Sequence, residues 1–185
     1  LEDPLKPNDI LKAISRKYSD GALVKEIALN TVPSDAISNR WELEKVAYYY
    51  GEDSDYYKEV TQKLEGKEIA DSVPLGWKPL PAQRRIDGLL YASSKLIAVE
   101  VKISVADFKR ETDAKREPWE RVTHQFVYAT PKGLLDPNDL PAHCGLWEVS
   151  SNGSITITKR AKVNKNPEPM PQQVLVALMY RNRLK

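Results

Sequence analysis

The segment Arg84–Phe108 reads RRIDGLLYASSKLIAVEVKISVADF, a pattern that predicts β-structure. Two apolar runs of strand length, Arg84–Tyr91 and Lys95–Lys102, are separated by a short Ala-Ser-Ser sequence. Runs rich in Val, Ile and Tyr that are bounded by small turn residues are typical of β-strands. We therefore predict two adjacent strands joined by a short turn.

Three charged residues, Asp87, Glu100 and Lys102, lie within these apolar runs. Because side chains alternate along a strand, Glu100 and Lys102 project to one side and the apolar residues project to the other side, where they can fill a core. An ionised group is costly to bury alone, so such groups form ion pairs or bind metal ions. The spacing is compatible with both a structural ion pair of Lys102 with either carboxylate and a metal site. The core-facing residues of this strand are Ile97, Val99 and Val101.

The three charged side chains have the chemistry that a magnesium site requires. If the two runs pair as a hairpin, the strand of Asp87 lies beside Glu100, and their carboxylates can share a divalent ion. Magnesium prefers oxygen ligands and keeps several waters, so two carboxylates and a backbone carbonyl suffice. Such an ion polarises a phosphate and lowers the pKa of a bound water. Lys102 would orient that water or stabilise charge on the phosphate oxygens.

Length and composition predict one globular domain without a transmembrane helix. The 185 residues suit a single domain, and 41% hydrophobic with 29% charged residues is ordinary for a globular protein. No apolar run of about 18 residues occurs, and no secretory signal pattern opens the chain. The single cysteine, Cys144, excludes an intramolecular disulfide and is typical of a reducing compartment. We expect it to be a buried structural thiol.

Charge is unevenly distributed along the chain, whose net charge is +2. Leu1–Gly76 carries 10 Lys/Arg and 15 Asp/Glu, whereas Trp77–Lys185 carries 18 and 11. A basic region beside a metal site suits a phosphate polymer, although a solvated surface has the same composition. Basic residues that follow the second strand could track a nucleic-acid backbone. The alternative is a solvated helix face on which they pair with Glu111, Asp113, Glu117 and Glu120. The candidate nucleic-acid-binding residues are Arg84, Arg85, Lys109, Arg110, Lys115, Arg116 and Arg121.

The rest of the chain predicts helices and further strands around one sheet, which makes the fold α/β or α+β. Ser104 suits a helix N-cap with Asp107 at the third helical position, so Asp107 is interpreted first as a capping residue and second as a site residue. The predicted elements are helices at Pro7–Tyr18, within Trp41–Gly66 (two), at Ser104–Lys115 and at Pro171–Arg183, strands at Ala22–Leu29 and His124–Thr130, a linker at Pro74–Pro81, and a hairpin from Cys144 to Arg160.

The two histidines do not suggest a second metal site. His124 and His143 lack a partner at metal-ligand spacing, so we assign them packing or surface roles, with a phosphate contact of His124 as the alternative. The sequence also has no glycine-rich phosphate loop, which argues against a nucleotide-hydrolysing enzyme.

An aspartate, a gap of about a dozen residues and then Glu-x-Lys in an apolar strand resembles the PD-(D/E)XK nuclease superfamily. A longer match follows: RRIDGLL, AVEVKISVADFKRE, REPWERVTHQFVYATPKGL and LPAHCGLWEV. These segments resemble the small MmcB-like DNA-repair proteins and their phage-encoded relatives. The resemblance covers Arg84–Val149, with weaker similarity in Pro7–Leu29.

The resemblance implies a restriction-endonuclease-like core, in which helices flank a mixed central β-sheet. It implies one nuclease-like domain over residues 1–185, with 31–81 as a helical insertion before the catalytic strands. By position, Asp87 and Glu100 would be metal ligands, Val101 would offer its backbone carbonyl and Lys102 would be the catalytic lysine. The implied cofactor is Mg²⁺ or Mn²⁺.

Two departures from the family pattern concern the metal ligands. The proline often found before the aspartate is Ile86 here. Many relatives supply a further glutamate ligand from the first helix, but no glutamate occurs between Pro4 and Val24. Glu26 or Glu44 could replace it, although Glu26 also suits an ordinary surface charge.

The resemblance implies a metal-dependent deoxyribonuclease that hydrolyses phosphodiester bonds in repair, recombination or phage DNA metabolism. The expected partner is DNA, in the cytoplasm of a bacterium or a phage-infected host, and relatives of this kind are often homodimers. RNA cleavage would use the same residues. The alternative is a non-catalytic nucleic-acid- or protein-binding module on the same fold.

Overall fold

A computed structural model describes residues 4–31, 40, 43–44, 47–48, 51–66 and 82–181. These residues form a mixed α/β structure in which helices accompany one six-stranded sheet. The elements are α1 (Pro7–Lys17), β1 (Ala22–Thr31), α2 (Asp55–Leu64), β2 (Ala82–Ala92), β3 (Lys95–Val101), α3 (Val105–Phe108), α4 (Asp113–Val122), β4 (Gln125–Pro131), a 3₁₀ turn (Pro137–Asp139), β5 (Gly145–Val149), β6 (Ile155–Lys159) and α5 (Gln172–Arg181).

The chain divides into two compact units. One comprises Leu1–Ile27 and Arg85–Pro169, and the other comprises Ala28–Arg84 and Met170–Lys185. In the second unit, α2 begins after Gly51, as the predicted division of Trp41–Gly66 into two helices requires. The predicted linker before β2 lies outside the described residues. The expectation of one nuclease-like domain with an insertion at 31–81 stays a prediction.

The sheet has the strand order β1-β2-β3-β4-β5-β6. β2 and β3 are antiparallel, β4 runs parallel to both β3 and β5, and β5 and β6 are antiparallel. The mixed sheet confirms the α/β class, and the last pair confirms the predicted terminal hairpin. In the described part of the chain, no helix is long and apolar enough to span a membrane.

β2 and β3 form the predicted hairpin, with a tighter turn than expected. Ala92 pairs with Lys95, so the connection is only Ser93-Ser94, and these residues have φ values of 50° and 59°. Positive φ at both central positions is the geometry of a type I′ turn, whose twist matches that of the flanking strands. The turn sets the register, which runs from Ala92↔Lys95 to Gly88↔Val99.

One face of the sheet packs against α1 and forms the main core of the first unit. α1 begins with Pro7 at its first position, where the missing N–H costs no hydrogen bond, and its apolar residues recur on one side. Gly88 allows close packing here, because a Cβ at that position would lie 3.2 Å from Leu11 Cδ2. The core includes Ile97, Val99 and Val101, which confirms the predicted inward face of β3.

The opposite face carries the charged residues and is covered by α4. Trp119 of α4 is buried, and the buried Tyr128 of β4 makes edge-to-face ring contacts with Phe108 and Phe126 at 5.3 and 5.4 Å. The prediction of one helix at Ser104–Lys115 was wrong. The helix α3 ends at Phe108, and Thr112 is the extended N-cap of α4, so the chain turns between them.

Candidate metal centre

Asp87 and Glu100 lie on neighbouring antiparallel strands. The paired register ends at Gly88↔Val99, and Asp87 and Glu100 are the next residues beyond that pair on β2 and β3. Asp87 Oδ2 accepts a hydrogen bond from the Val101 backbone N–H at 2.8 Å, which fixes its carboxylate against β3.

Burial raises the pKa values of both acids, and the charge of a neighbouring carboxylate raises each of them further. Burial raises the pKa of Asp87 above its ordinary value, against the lowering effects of the Val101 hydrogen bond and Lys102. For Glu100, burial and then the charge of Asp87 raise the pKa from 4.5 to about 7. A carboxylate whose ionisation is disfavoured by a neighbouring carboxylate is typical of functional sites, and a bound cation relieves the repulsion.

Lys102 follows β3 directly and is the centre of an ion-pair network. Its side chain is only 6% exposed. Its Nζ lies 2.9 Å from Glu100 Oε1 and 2.8 Å from Glu111 Oε2. Burial lowers the pKa of Lys102, but hydrogen bonds and charge from these two glutamates outweigh it and raise the pKa above its usual range. Lys102 is therefore held as an ammonium ion.

Glu111 is the site residue that sequence reasoning missed. It was interpreted as a surface partner of nearby basic residues, yet its side chain is 7% exposed and bonds to Lys102. It lies between α3 and α4, and its backbone N–H donates to the Phe108 carbonyl at 2.9 Å. No local spacing signalled this contact, because α3 ends at Phe108 and the chain turns before α4 begins.

Asp107 combines the two roles considered for it. Its backbone N–H donates to Ser104 Oγ at 3.2 Å, which confirms Ser104 as an N-cap. Its carboxylate lies 3.7 Å from Lys102 Nζ and 3.5 Å from Arg110. Asp107 is thus at the edge of the Lys102 network, and its role is not only that of a capping residue.

The network has more negative than positive charge. Four carboxylates, from Asp87, Glu100, Asp107 and Glu111, accompany the one ammonium of Lys102. Within the described ranges, no three of these carboxylates bring oxygens within 4.8 Å of one another. Carboxylates, carbonyl oxygens and water are the donors that small divalent cations prefer.

The remaining predicted ligands stay predictions. Val101 is buried at the end of β3, and its backbone N–H is bound to Asp87. Glu26 is exposed in β1 and has a φ of 52°. Glu44, in the second unit, forms a salt bridge with Arg40 at 3.8 Å.

Four of the predicted nucleic-acid-binding residues are exposed in the first unit. Arg85 lies close enough to Asp87 to lower its pKa. Arg110 is 75% exposed on its side chain and pairs with Asp107. Lys109 and Lys115 are also exposed, and Lys115 Nζ donates to the Arg110 carbonyl at 2.9 Å. Arg84 is half-buried in β2.

Arg116 does not lie at the surface, so its assignment as a nucleic-acid contact was wrong. Its guanidinium pairs with Asp113 one turn before it and with Glu120 one turn after it, the latter at 3.2 Å. It also lies beside the buried Tyr128 hydroxyl, which has no hydrogen bond of standard geometry. The side chain of Arg121 is largely buried and forms a salt bridge with Glu168 at 2.7 Å, so little of it is accessible to a nucleic-acid backbone.

The predictions for the two histidines compare differently with the structure. His124 Nδ1 accepts a hydrogen bond from the Leu96 backbone N–H at 3.1 Å, which confirms a packing role. His143 was expected to lack a metal-ligand partner, but its Nε2 lies 2.8 Å from Glu120 Oε1. The two residues are 23 positions apart, so only the fold brings them together. Cys144 beside them is buried, as predicted.

Comparison with known proteins does not identify the chain. No family model and no curated protein matches it. A solved structure of a protein of unknown function from Silicibacter pomeroyi is 23% identical over 51% of this chain, with a TM-score of 0.40. The match spans about 61% of that protein's length. A likeness of this extent shows neither a shared activity nor a fold family.

Proposed function

We propose that this protein is a Mg²⁺- or Mn²⁺-dependent deoxyribonuclease with a restriction-endonuclease-like core, related to the PD-(D/E)XK nucleases and the MmcB-like DNA-repair proteins. The observation that carries the proposal is the proximity of Asp87 to Glu100. Asp87 Oδ2 accepts a hydrogen bond from the Val101 N–H, its charge raises the pKa of Glu100, and Lys102 Nζ lies 2.9 Å from Glu100. Repair, recombination or phage DNA metabolism in the cytoplasm is the setting that fits this activity.

The chain's own residues position the reacting groups. A cation bound by Asp87 and Glu100 would supply a polarised phosphate oxygen and a water of lowered pKa. The Val101 N–H holds Asp87 in place for this role. Lys102 stays protonated, so it acts as a donor that orients water or stabilises phosphate charge, and not as a general base. Glu111 holds Lys102 against the sheet.

The exposed basic residues near the site supply affinity for the DNA backbone. Arg85, Lys109, Arg110 and Lys115 present cations on the same unit as the acids. Contacts of Lys and Arg with phosphates release counterions, so the affinity does not depend on sequence and falls steeply with salt.

A nuclease assay tests the proposal. Asp87→Ala, Glu100→Ala and Lys102→Ala should each abolish cleavage of supercoiled, single-stranded and branched DNA in Mg²⁺ or Mn²⁺, with circular dichroism unchanged. Glu117→Gln is the matched control, because Glu117 is an exposed acid on α4 and should leave cleavage intact. Full activity in any of the three alanine variants would defeat the assignment, and an RNA substrate in parallel decides between the two polymers.

One observation favours a second candidate, a non-catalytic binding module. Lys102 is already satisfied by Glu100 and Glu111, so the network could serve stability alone. Calorimetry with Mn²⁺ separates the two functions. The nuclease takes up the ion and loses it in Glu100→Ala, whereas a binding module has no need of it.

A further inference from the structure

A second group of potential metal ligands lies away from the Lys102 network. Glu120 of α4, His143 and Cys144 each offer one ligand atom, and these atoms all lie within 4.8 Å of one another. His143 Nε2 is 2.8 Å and Cys144 Sγ is 3.6 Å from Glu120 Oε1. Carboxylate, imidazole and thiol together form a mixed donor set that the proposed nuclease chemistry does not use.

The turn that carries His143 and Cys144 is held by several hydrogen bonds. Lys159 Nζ donates to three carbonyls of the preceding segment at 3.0–3.1 Å. The Cys144 N–H donates to the Pro141 carbonyl at 3.0 Å, and the Lys162 N–H donates to the His143 carbonyl at 2.9 Å. Ligands on such a fixed turn lose little conformational entropy on binding an ion. The three carbonyls that Lys159 contacts belong to Pro137, Leu140 and Pro141.

Open space adjoins two of the three ligands. A cavity of about 190 Å³ is lined by Glu120 and His143, and also by His124, Lys162 and Asn164. A metal held by three protein ligands keeps a fourth position for water or another small ligand, and that position needs such space. The cavity is a second observation, independent of the ligand distances.

We propose that Glu120, His143 and Cys144 form a binding site for a transition-metal ion of the Zn²⁺ class. Zinc bonds of about 2.3 Å to sulfur and about 2.1 Å to oxygen place tetrahedral neighbours about 3.6 Å apart. The Cys144 Sγ to Glu120 Oε1 distance of 3.6 Å matches this edge. The His143 contact of 2.8 Å is shorter, but the side chain is 48% exposed and free to shift outward. Thiolate and imidazole ligands select zinc over magnesium.

The metal replaces hydrogen bonds that now converge on Glu120. Its Oε1 accepts from His143, from Cys144 and from Arg116 Nε at 3.2 Å. On binding, the Cys144 thiol proton leaves to solvent, and the proton on His143 Nε2 is exchanged through solvent for one on Nδ1. Sulfur–metal and nitrogen–metal bonds would then form in place of the S–H and N–H donors. Burial and the charge of Glu120 raise the pKa of Cys144 to about 12, so the thiolate forms only with the cation beside it. Arg116 keeps its pairing with Asp113.

Co²⁺ is the probe for this site, because a bound thiolate gives it a charge-transfer absorption. Protein without an affinity tag is titrated with Co²⁺ in four forms. These are the wild type, Cys144→Ala, His143→Ala and an Asp87→Asn/Glu100→Gln double variant. We expect the thiolate absorption to saturate at one equivalent of Co²⁺ in the double variant, and the wild type to show a band of the same intensity. We expect no such band in Cys144→Ala and at least tenfold weaker binding in His143→Ala, and Zn²⁺ should displace the Co²⁺.

The outcomes separate this site from the proposed nuclease centre. Absence of the thiolate band in the wild type overturns the proposal, as does a band that persists at full affinity in His143→Ala. Loss of the band in the double variant also overturns it, because binding at Cys144 would then depend on the Lys102 network. If Cys144→Ala unfolds, His143→Ala decides, since its half-exposed side chain can be truncated without loss of core packing.

Discussion

Replacement of Glu100 by glutamine should stabilise the metal-free protein above pH 7. Burial and the charge of Asp87 raise the pKa of Glu100 from 4.5 to about 7, and its side chain is only 18% exposed. A raised acid pKa means that the folded state binds a proton more tightly than the unfolded state. Stability therefore falls as pH rises from about 4.5 to about 7. A difference of about 2.5 pKa units corresponds to about 3 kcal/mol.

Unfolding at pH 5 and pH 8 in EDTA measures this effect. The wild type should lose about 2.5 kcal/mol between the two conditions, since a small part of the effect is already present at pH 5; this is about 5–10 °C in Tm for a chain of this size. Glu100→Gln should lack this loss, since glutamine does not ionise and Lys102 keeps Glu111 as a partner. Glu117→Gln, whose glutamate is 59% exposed, should follow the wild type.

Addition of Mg²⁺ at pH 8 completes the test. The ion should restore stability to the wild type and leave Glu100→Gln unchanged, because a ligand stabilises only the state that binds it. The reasoning is refuted if Glu100→Gln is less stable than the wild type at pH 8 by about 2 kcal/mol or more, the cost of losing a charge-assisted hydrogen bond. Glu100 would then be a structural partner of Lys102.

Two further substitutions test the surroundings of the site. Glu111→Gln should lower the free energy of unfolding by about 2 kcal/mol, because it removes a charge-assisted bond to the buried Lys102, whereas Glu117→Gln should cost under about 0.5 kcal/mol in the same urea titration. Equal losses of unfolding free energy in the two variants would show that the Glu111–Lys102 contact does not stabilise the fold. Arg116→Ala should destabilise by about 3 kcal/mol or more, as for a broken buried ion pair. Arg110→Ala should leave stability unchanged and reduce the salt dependence of DNA binding by about one phosphate contact, and an unchanged salt slope would exclude that contact.

Local sequence pattern was sufficient for the hairpin that places the candidate ligands. Alternation along β3 put Glu100 on one face and Ile97, Val99 and Val101 on the other, and the structure has the same division. This worked because the side-chain period of a strand is fixed at two, so a buried face determines the register. The proximity of Asp87 to Glu100 then follows from the length of the turn.

Contacts between residues far apart in the chain could not be predicted from the sequence pattern. Glu111 and Arg116 were interpreted as surface residues, because acids and bases in this segment can pair on a solvated helix face. Their burial depends on how the segment between α3 and α4 turns back onto the sheet. The Glu120–His143 contact likewise joins α4 to the turn before β5, and no spacing rule links those elements.

The most direct test of the central claim is anomalous diffraction at the manganese edge from crystals soaked in Mn²⁺. The account predicts a peak about 2 Å from a carboxylate oxygen of both Asp87 and Glu100, and its loss in Glu100→Gln crystals. If the protein cleaves DNA in solution with Mn²⁺ and yet the soaked crystals show no manganese peak between these two carboxylates, the proposed metal centre is wrong.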